Sequence, residues 1–124
     1  MNLPRPTDAE LAVLNVLWDR GPSTVRQIHD VLSGTRDLGY TTVLKSLQVM
    51  TEKGLVLRNE SERSHVFAAT LSETQTQRSL LGDLMERAFG GSAAKLVIQA
   101  LQAKRASKQE LDEIRKLLDE GGES

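Results

Sequence analysis

Residues 40–54, YTTVLKSLQVMTEKG, constrain the chain more than any other stretch. At about 100° of turn per residue, Val43, Leu47 and Met50 share one side of a helix, whereas Thr41, Lys45, Gln48 and Glu52 gather on the other within about 60°. Gly39 precedes the stretch and Gly54 closes it, and glycine takes the left-handed conformation that ends helices. The rest of the chain reads as the frame that holds this short amphipathic helix. Its outer face consists of hydroxyls, an amide and a lysine, side chains that reach base edges or phosphates when a helix lies in a major groove. Taken alone, the helix fits an ordinary solvated face equally well, so its neighbours decide.

Upstream, Thr7 and Glu10 have the spacing of a capping box. The helix they open carries Leu11, Leu14, Leu17 and Trp18 as an apolar stripe, with Trp18 as a core anchor, and Gly21-Pro22 ends it. Ser23 is expected to cap a second helix that runs to about Leu32, with Val25, Ile28 and Leu32 inward. Three short helices joined by tight, glycine-containing turns make a helix-turn-helix. After Gly54, residues 55–58 and 65–68 are rich in β-formers, and the polar, turn-prone residues 59–64 join them. Helices followed by a hairpin give the winged helix-turn-helix plan. Arg58 and Arg63 flank the hairpin tip, where they can meet backbone phosphates; the alternative is solvation, or pairing with Glu60 and Glu62.

From Leu71 onward the pattern is helical only. Ser72 opens a helix bearing Leu80, Leu84, Met85 and Phe89; Ser92 opens one bearing Leu96, Val97 and Leu101; Ser107 and Glu110 box a third bearing Leu111, Ile114 and Leu118. Roughly 50 residues are close to the lower limit for an independent core, so these apolar stripes are expected to pair with a second copy of the chain. The expected fold is mainly α with a small β-hairpin: a winged helix-turn-helix DNA-binding domain over residues 1–70, then a three-helix dimerisation domain over 71–124. A two-fold pair matches a palindromic operator.

Composition narrows the function. Aromatic residues make up 3% of the chain, too few for the stacking platforms that bind single strands. With no cysteine there is no disulfide, thiolate metal site or thiol nucleophile, and neither His29 nor His65 has partners at metal-ligand spacing. The serines are accounted for by capping, so the chain is not read as an enzyme and no cofactor or metal is expected. No apolar run is long enough to span a bilayer and MNLPRPTDAE lacks the features of a signal peptide, so membrane insertion is not expected and a cytoplasmic location is. The net charge is −1, and residues 1–66 hold eight basic and eight acidic side chains. DNA binding therefore depends on where the basic groups sit; a winged helix that docks another protein without binding DNA is the alternative.

The motifs in order are T-x-A-E-L-x-V-L-x-x-L-W over residues 7–18, Tyr40-Thr41-Thr42-Val43 with Leu47, Lys53-Gly54-Leu55, Phe67 after the wing, Phe89-Gly90-Gly91-Ser92 with Leu96-Val97, and the helix over 107–118. In this order they resemble the penicillinase repressor family, which includes the β-lactamase, methicillin-resistance and copper-responsive repressors. The resemblance implies a homodimeric repressor that sits on a dyad operator in double-stranded DNA and blocks a promoter. It implies that Thr41, Thr42, Lys45 and Gln48 contact DNA from the recognition helix and Arg63 from the wing. Lys45 stands where many relatives have threonine, and Val49 where many have arginine, departures that bear on the operator sequence. The copper-sensing members bind metal through cysteines that this chain lacks. The antibiotic-responsive members are cut at an Asn-Phe bond where this chain has Gln99-Ala100, so a regulatory protease or sensor, if it acts here, uses a different cut.

Overall fold

The computed structural model describes residues 5–121 apart from positions 36 and 62, so Arg36, one of the eight basic residues of 1–66, and Glu62, the possible partner of a wing arginine, lie outside the described residues. The elements run α1 (Asp8–Arg20), β1 (Ser23–Thr24), α2 (Val25–Leu32), α3 (Tyr40–Lys53), β2 (Val56–Asn59), β3 (Val66–Ala69), α4 (Glu73–Ala88), α5 (Ala93–Ala103) and α6 (Lys108–Gly121). They form two compact units, which part between Leu81 and Gly82, inside α4.

In the N-terminal unit, α1 starts with the expected reciprocal cap. The Glu10 amide donates to Thr7 Oγ1 at 3.2 Å, and the Thr7 amide donates to Glu10 Oε1 at 2.8 Å. The buried face differs from the expected stripe: Val13, Leu14, Val16 and Leu17 are in the core, while Leu11 and Trp18 only pack against it. The reason is that α1 meets α2, α3 and β3 together, so it buries more than one row of side chains. Trp18 sits at the rim, where its indole N–H donates to the Leu71 carbonyl at 3.0 Å, as a largely enclosed indole requires.

The second helix is capped by Thr24 rather than by Ser23. Thr24 has a glutamine three residues on, and Thr24 and Gln27 close a complete box with bonds of 2.9 and 3.2 Å. Ser23 has Arg26 at that spacing, which cannot return an acceptor to the cap. Ser23 is instead buried in β1, opposite Phe67, with its hydroxyl donating to the Gly21 carbonyl. This short strand was not expected, and it makes the sheet three-stranded in the order β1-β3-β2, antiparallel throughout. The wing strands also start one residue later than expected. Leu55 is held by the end of α3: Gly54 is left-handed at φ 81°, and the Leu55 amide donates to the Met50 carbonyl at 2.9 Å. Ile28, Leu47 and Met50 are fully enclosed, with Val43, Val56 and Phe67 around them.

The C-terminal helices begin where their caps predict. The Lys95 amide donates to Ser92 Oγ, and Ser107 and Glu110 form a reciprocal box. Gly90 and Gly91 both have positive φ, and the Gly91 amide donates to the Met85 carbonyl at 2.9 Å, turning the chain between α4 and α5. Among the described residues neither α5 nor α6 has a buried residue. Leu84, Val97, Ile98, Leu101, Leu117 and Leu118 are exposed, the last two by about two-thirds.

Candidate nucleic-acid interface

The recognition-type helix α3 turns Val43, Leu47 and Met50 into the core, and this leaves Thr41, Thr42, Lys45 and Gln48 exposed on the opposite side. Val49, 44% exposed, and Glu52 share that outer face. Gly39 at the N-cap makes no side-chain cap bond, so among the described residues the first-turn backbone N–H groups, at the positive end of the helix dipole, have no side-chain cap.

The other end of α3 is tied down by a contact that periodicity does not reveal. Lys53 Nζ lies 2.8 and 3.1 Å from the two carboxylate oxygens of Glu10, which is 4% exposed. Burial raises the Glu10 pKa, but the Lys53 and Thr7 bonds outweigh it and hold the carboxyl below its ordinary value. The Glu10 carboxylate thus fastens α1 and α3 together at their ends.

On the wing, Arg58 pairs with Glu60, the arrangement weighed as the alternative to phosphate contact. The Asn59 side chain accepts from the Ser61 amide at 2.9 Å, which shapes the tip. Arg63 is exposed and forms no ion pair among the described residues, and Lys45 and Arg26 likewise form none.

Between α2, α3 and the wing lies a cleft of about 500 Å³ lined by Thr24, Arg26, Tyr40, Gln48, Arg58, Arg63, His65 and Phe67 among others. Of the expected site residues, Gln48, Arg58 and Arg63 meet in this cleft, while Thr41, Thr42 and Lys45 stand on the α3 face outside its lining. Arg26, Tyr40 and His65 are added by the structure. Arg26 could have been noticed as an outward cation in the first turn of α2. The Tyr40 ring meets His29 edge-on at 6.0 Å, and that contact is a product of the fold alone. No group of three or more His, Cys, Asp or Glu able to hold a metal occurs among the described residues. The donors present, hydroxyl, amide, ammonium and guanidinium, complement phosphate oxygens and base-edge acceptors.

Residues 6–120 match the family model described as penicillinase repressor. The transcriptional regulator BlaI of Mycobacterium tuberculosis is 37% identical over 120 residues, 95% of this chain and 86% of that protein. The penicillinase repressor of Bacillus licheniformis is 23% identical over 118 residues, 95% of this chain and 92% of that one. Among solved structures, the solution structure of the Bacillus licheniformis BlaI monomeric form in complex with the blaP half-operator superimposes with a TM-score of 0.52 at 25% identity, covering 59% of this chain and 89% of that one. With a family match over nearly its whole length and a relative this similar, the chain belongs to the penicillinase repressor family, a family of DNA-binding transcriptional repressors and not of enzymes.

Proposed function

We propose that this repressor acts in the cytoplasm as a homodimer on a two-fold operator and blocks the promoter that the operator overlaps. The observation that carries the reading is α3, whose apolar side is locked into the core while Thr41, Thr42, Lys45 and Gln48 face outward. In this reading Thr41, Thr42, Lys45 and Gln48 meet base edges and nearby phosphates in the major groove, and Arg63, with Arg58 released from Glu60, meets the backbone beside it. The cleft between α3 and the wing suits a sugar-phosphate strand, since Arg26, Arg58 and Arg63 line it together. The Bacillus licheniformis BlaI, which has this fold, is described in complex with a half-operator.

DNA binding is assigned to residues 1–70 and dimerisation to 71–124. Exposed Leu84, Val97, Leu101 and Leu118, and partly buried Leu80, Met85, Phe89, Leu96, Leu111 and Ile114, support the second assignment, since a monomer leaves these apolar faces in water. Release from the operator is assigned to a regulatory protease or sensor protein. Among the described residues no helix is long and apolar enough to cross a membrane.

The test is binding of the full chain to duplexes selected from genomic fragments, read at several salt concentrations, with sedimentation in parallel. The expected result is a dyad site with half-sites spaced by one or two helical turns, roughly 34 Å or a multiple, and affinity that falls steeply with salt. A monomer that ignores duplexes at low salt overturns the proposal.

A further inference from the structure

We infer that Val49 reads a thymine methyl group in each half-site, so that base preference is set partly by an apolar contact and not by hydrogen bonds alone. This rests on the proposed docking of α3 in the major groove. Val49 stands one turn beyond Lys45 on the outer face of α3, 44% exposed, flanked by Lys45, Gln48 and Glu52. It is the exposed large aliphatic side chain on that helix face, and among the described residues no other element covers it. A helix seated by Thr41, Thr42, Lys45 and Gln48 carries Val49 into the groove with them. There the valine methyls displace water from base edges without offering a hydrogen bond in return, an unfavourable exchange wherever the edge presents an amino or carbonyl group. The C5-methyl of thymine is the apolar group that the major groove presents, and meeting it turns the same contact favourable.

The helix geometry also places the thymine. Four residues advance about 6 Å along α3, and base pairs are spaced about 3.4 Å apart. The thymine therefore lies within about two base pairs of the one Lys45 contacts.

The experiment begins with duplexes enriched from a randomised library by the full chain. Each thymine of the enriched half-site is then replaced singly by deoxyuridine, which removes only the C5-methyl, and dissociation constants are measured for the wild type and for Val49→Ala. One thymine position near the Lys45 contact is expected to weaken wild-type binding about four-fold on losing its methyl, the worth of one buried methyl group, and to leave Val49→Ala unaffected. Alanine favours an exposed helix, so the variant keeps its fold, and a melting curve checks this. If every thymine-to-deoxyuridine change has the same effect on both proteins, Val49 makes no such contact and the inference is overturned while DNA binding stands. If the wild type enriches no duplex at all, the docking itself is wrong and the inference falls with it.

Discussion

Lys53→Met removes the ammonium that faces Glu10 and keeps most of the hydrocarbon stem, so it isolates the charge that ties α3 to α1. Two limits bracket the effect. Removing one partner of a fully buried ion pair costs about 3 to 5 kcal/mol, and a fully exposed pair contributes about 0.2 to 1 kcal/mol. Glu10 is 4% exposed, but the Lys53 side chain is 36% exposed, so water shares in solvating the pair. Glu10 also keeps the Thr7 amide at 2.8 Å and is not orphaned. The expected loss is therefore between the limits, about 2 kcal/mol, or roughly 8 to 16 °C in Tm for a unit of this size.

The pH dependence follows from the depressed carboxyl. Burial raises the Glu10 pKa, but the Lys53 and Thr7 bonds outweigh that rise, and the net value lies below the ordinary 4.5. A depressed folded-state value means the stabilisation is complete above that ordinary value and disappears as pH falls through the folded one. Urea unfolding at about pH 7 and about pH 4 should therefore show the variant's deficit shrinking in acid. A deficit below about 0.5 kcal/mol at neutral pH, or one of equal size at both, refutes the assignment of this pair as the tie between the helices.

Lys45→Ala is expected to weaken operator binding by about 1 to 3 kcal/mol if the ammonium bonds a guanine edge, with less loss for a phosphate contact; anisotropy titrations across salt concentrations that show no change remove Lys45 from the interface. Glu60→Gln releases Arg58 and removes a negative charge from the wing, so operator affinity should rise by about 0.5 to 1 kcal/mol; a fall would mean that the Arg58–Glu60 pair orders the wing for binding. Leu101→Asp combined with Leu118→Asp buries charge in the proposed dimer interface, and sedimentation should show the dissociation constant rising by about tenfold or more. A dimer of unchanged strength places the interface elsewhere.

The parts of the fold legible in the sequence are those fixed by residues close together in the chain. Capping boxes at Thr7 and Ser107 and the cap at Ser92 give the starts of three helices because each is a contact across three residues. The start of α2 is legible too, since at the same three-residue spacing Thr24 has Gln27, which can return an acceptor to the cap, whereas Ser23 has Arg26, which cannot. What local spacing does not encode is pairing at a distance. Glu10 and Lys53 are 43 residues apart, and β1 exists only because β3 passes beside Ser23. One apolar stripe implies one neighbour, so periodicity misjudged α1, which has several. The same division holds for the candidate site. The outer face of α3 follows from its own period, whereas the cleft that adds Arg26, Tyr40 and His65 needs three elements to converge.

Net charge is a poor guide to this interface because screening acts over a shorter distance than the size of the unit. At physiological salt, exposed charges more than about 8 to 10 Å apart scarcely interact. Glu10 is neutralised by Lys53 and Glu60 by Arg58. On the outer face of α3 the acid is Glu52, seven residues beyond Lys45, about 10 Å along the axis. A phosphate near Thr41 or Lys45 is therefore largely shielded from it. What that phosphate meets is the first turn of α3, which has no side-chain cap, with Lys45, Arg26 and Arg63 unpaired among the described residues. A chain whose charges sum to −1 can thus present basic groups where a duplex would lie, because Glu10 and Glu60 are paired and Glu52 stands about 10 Å beyond Lys45.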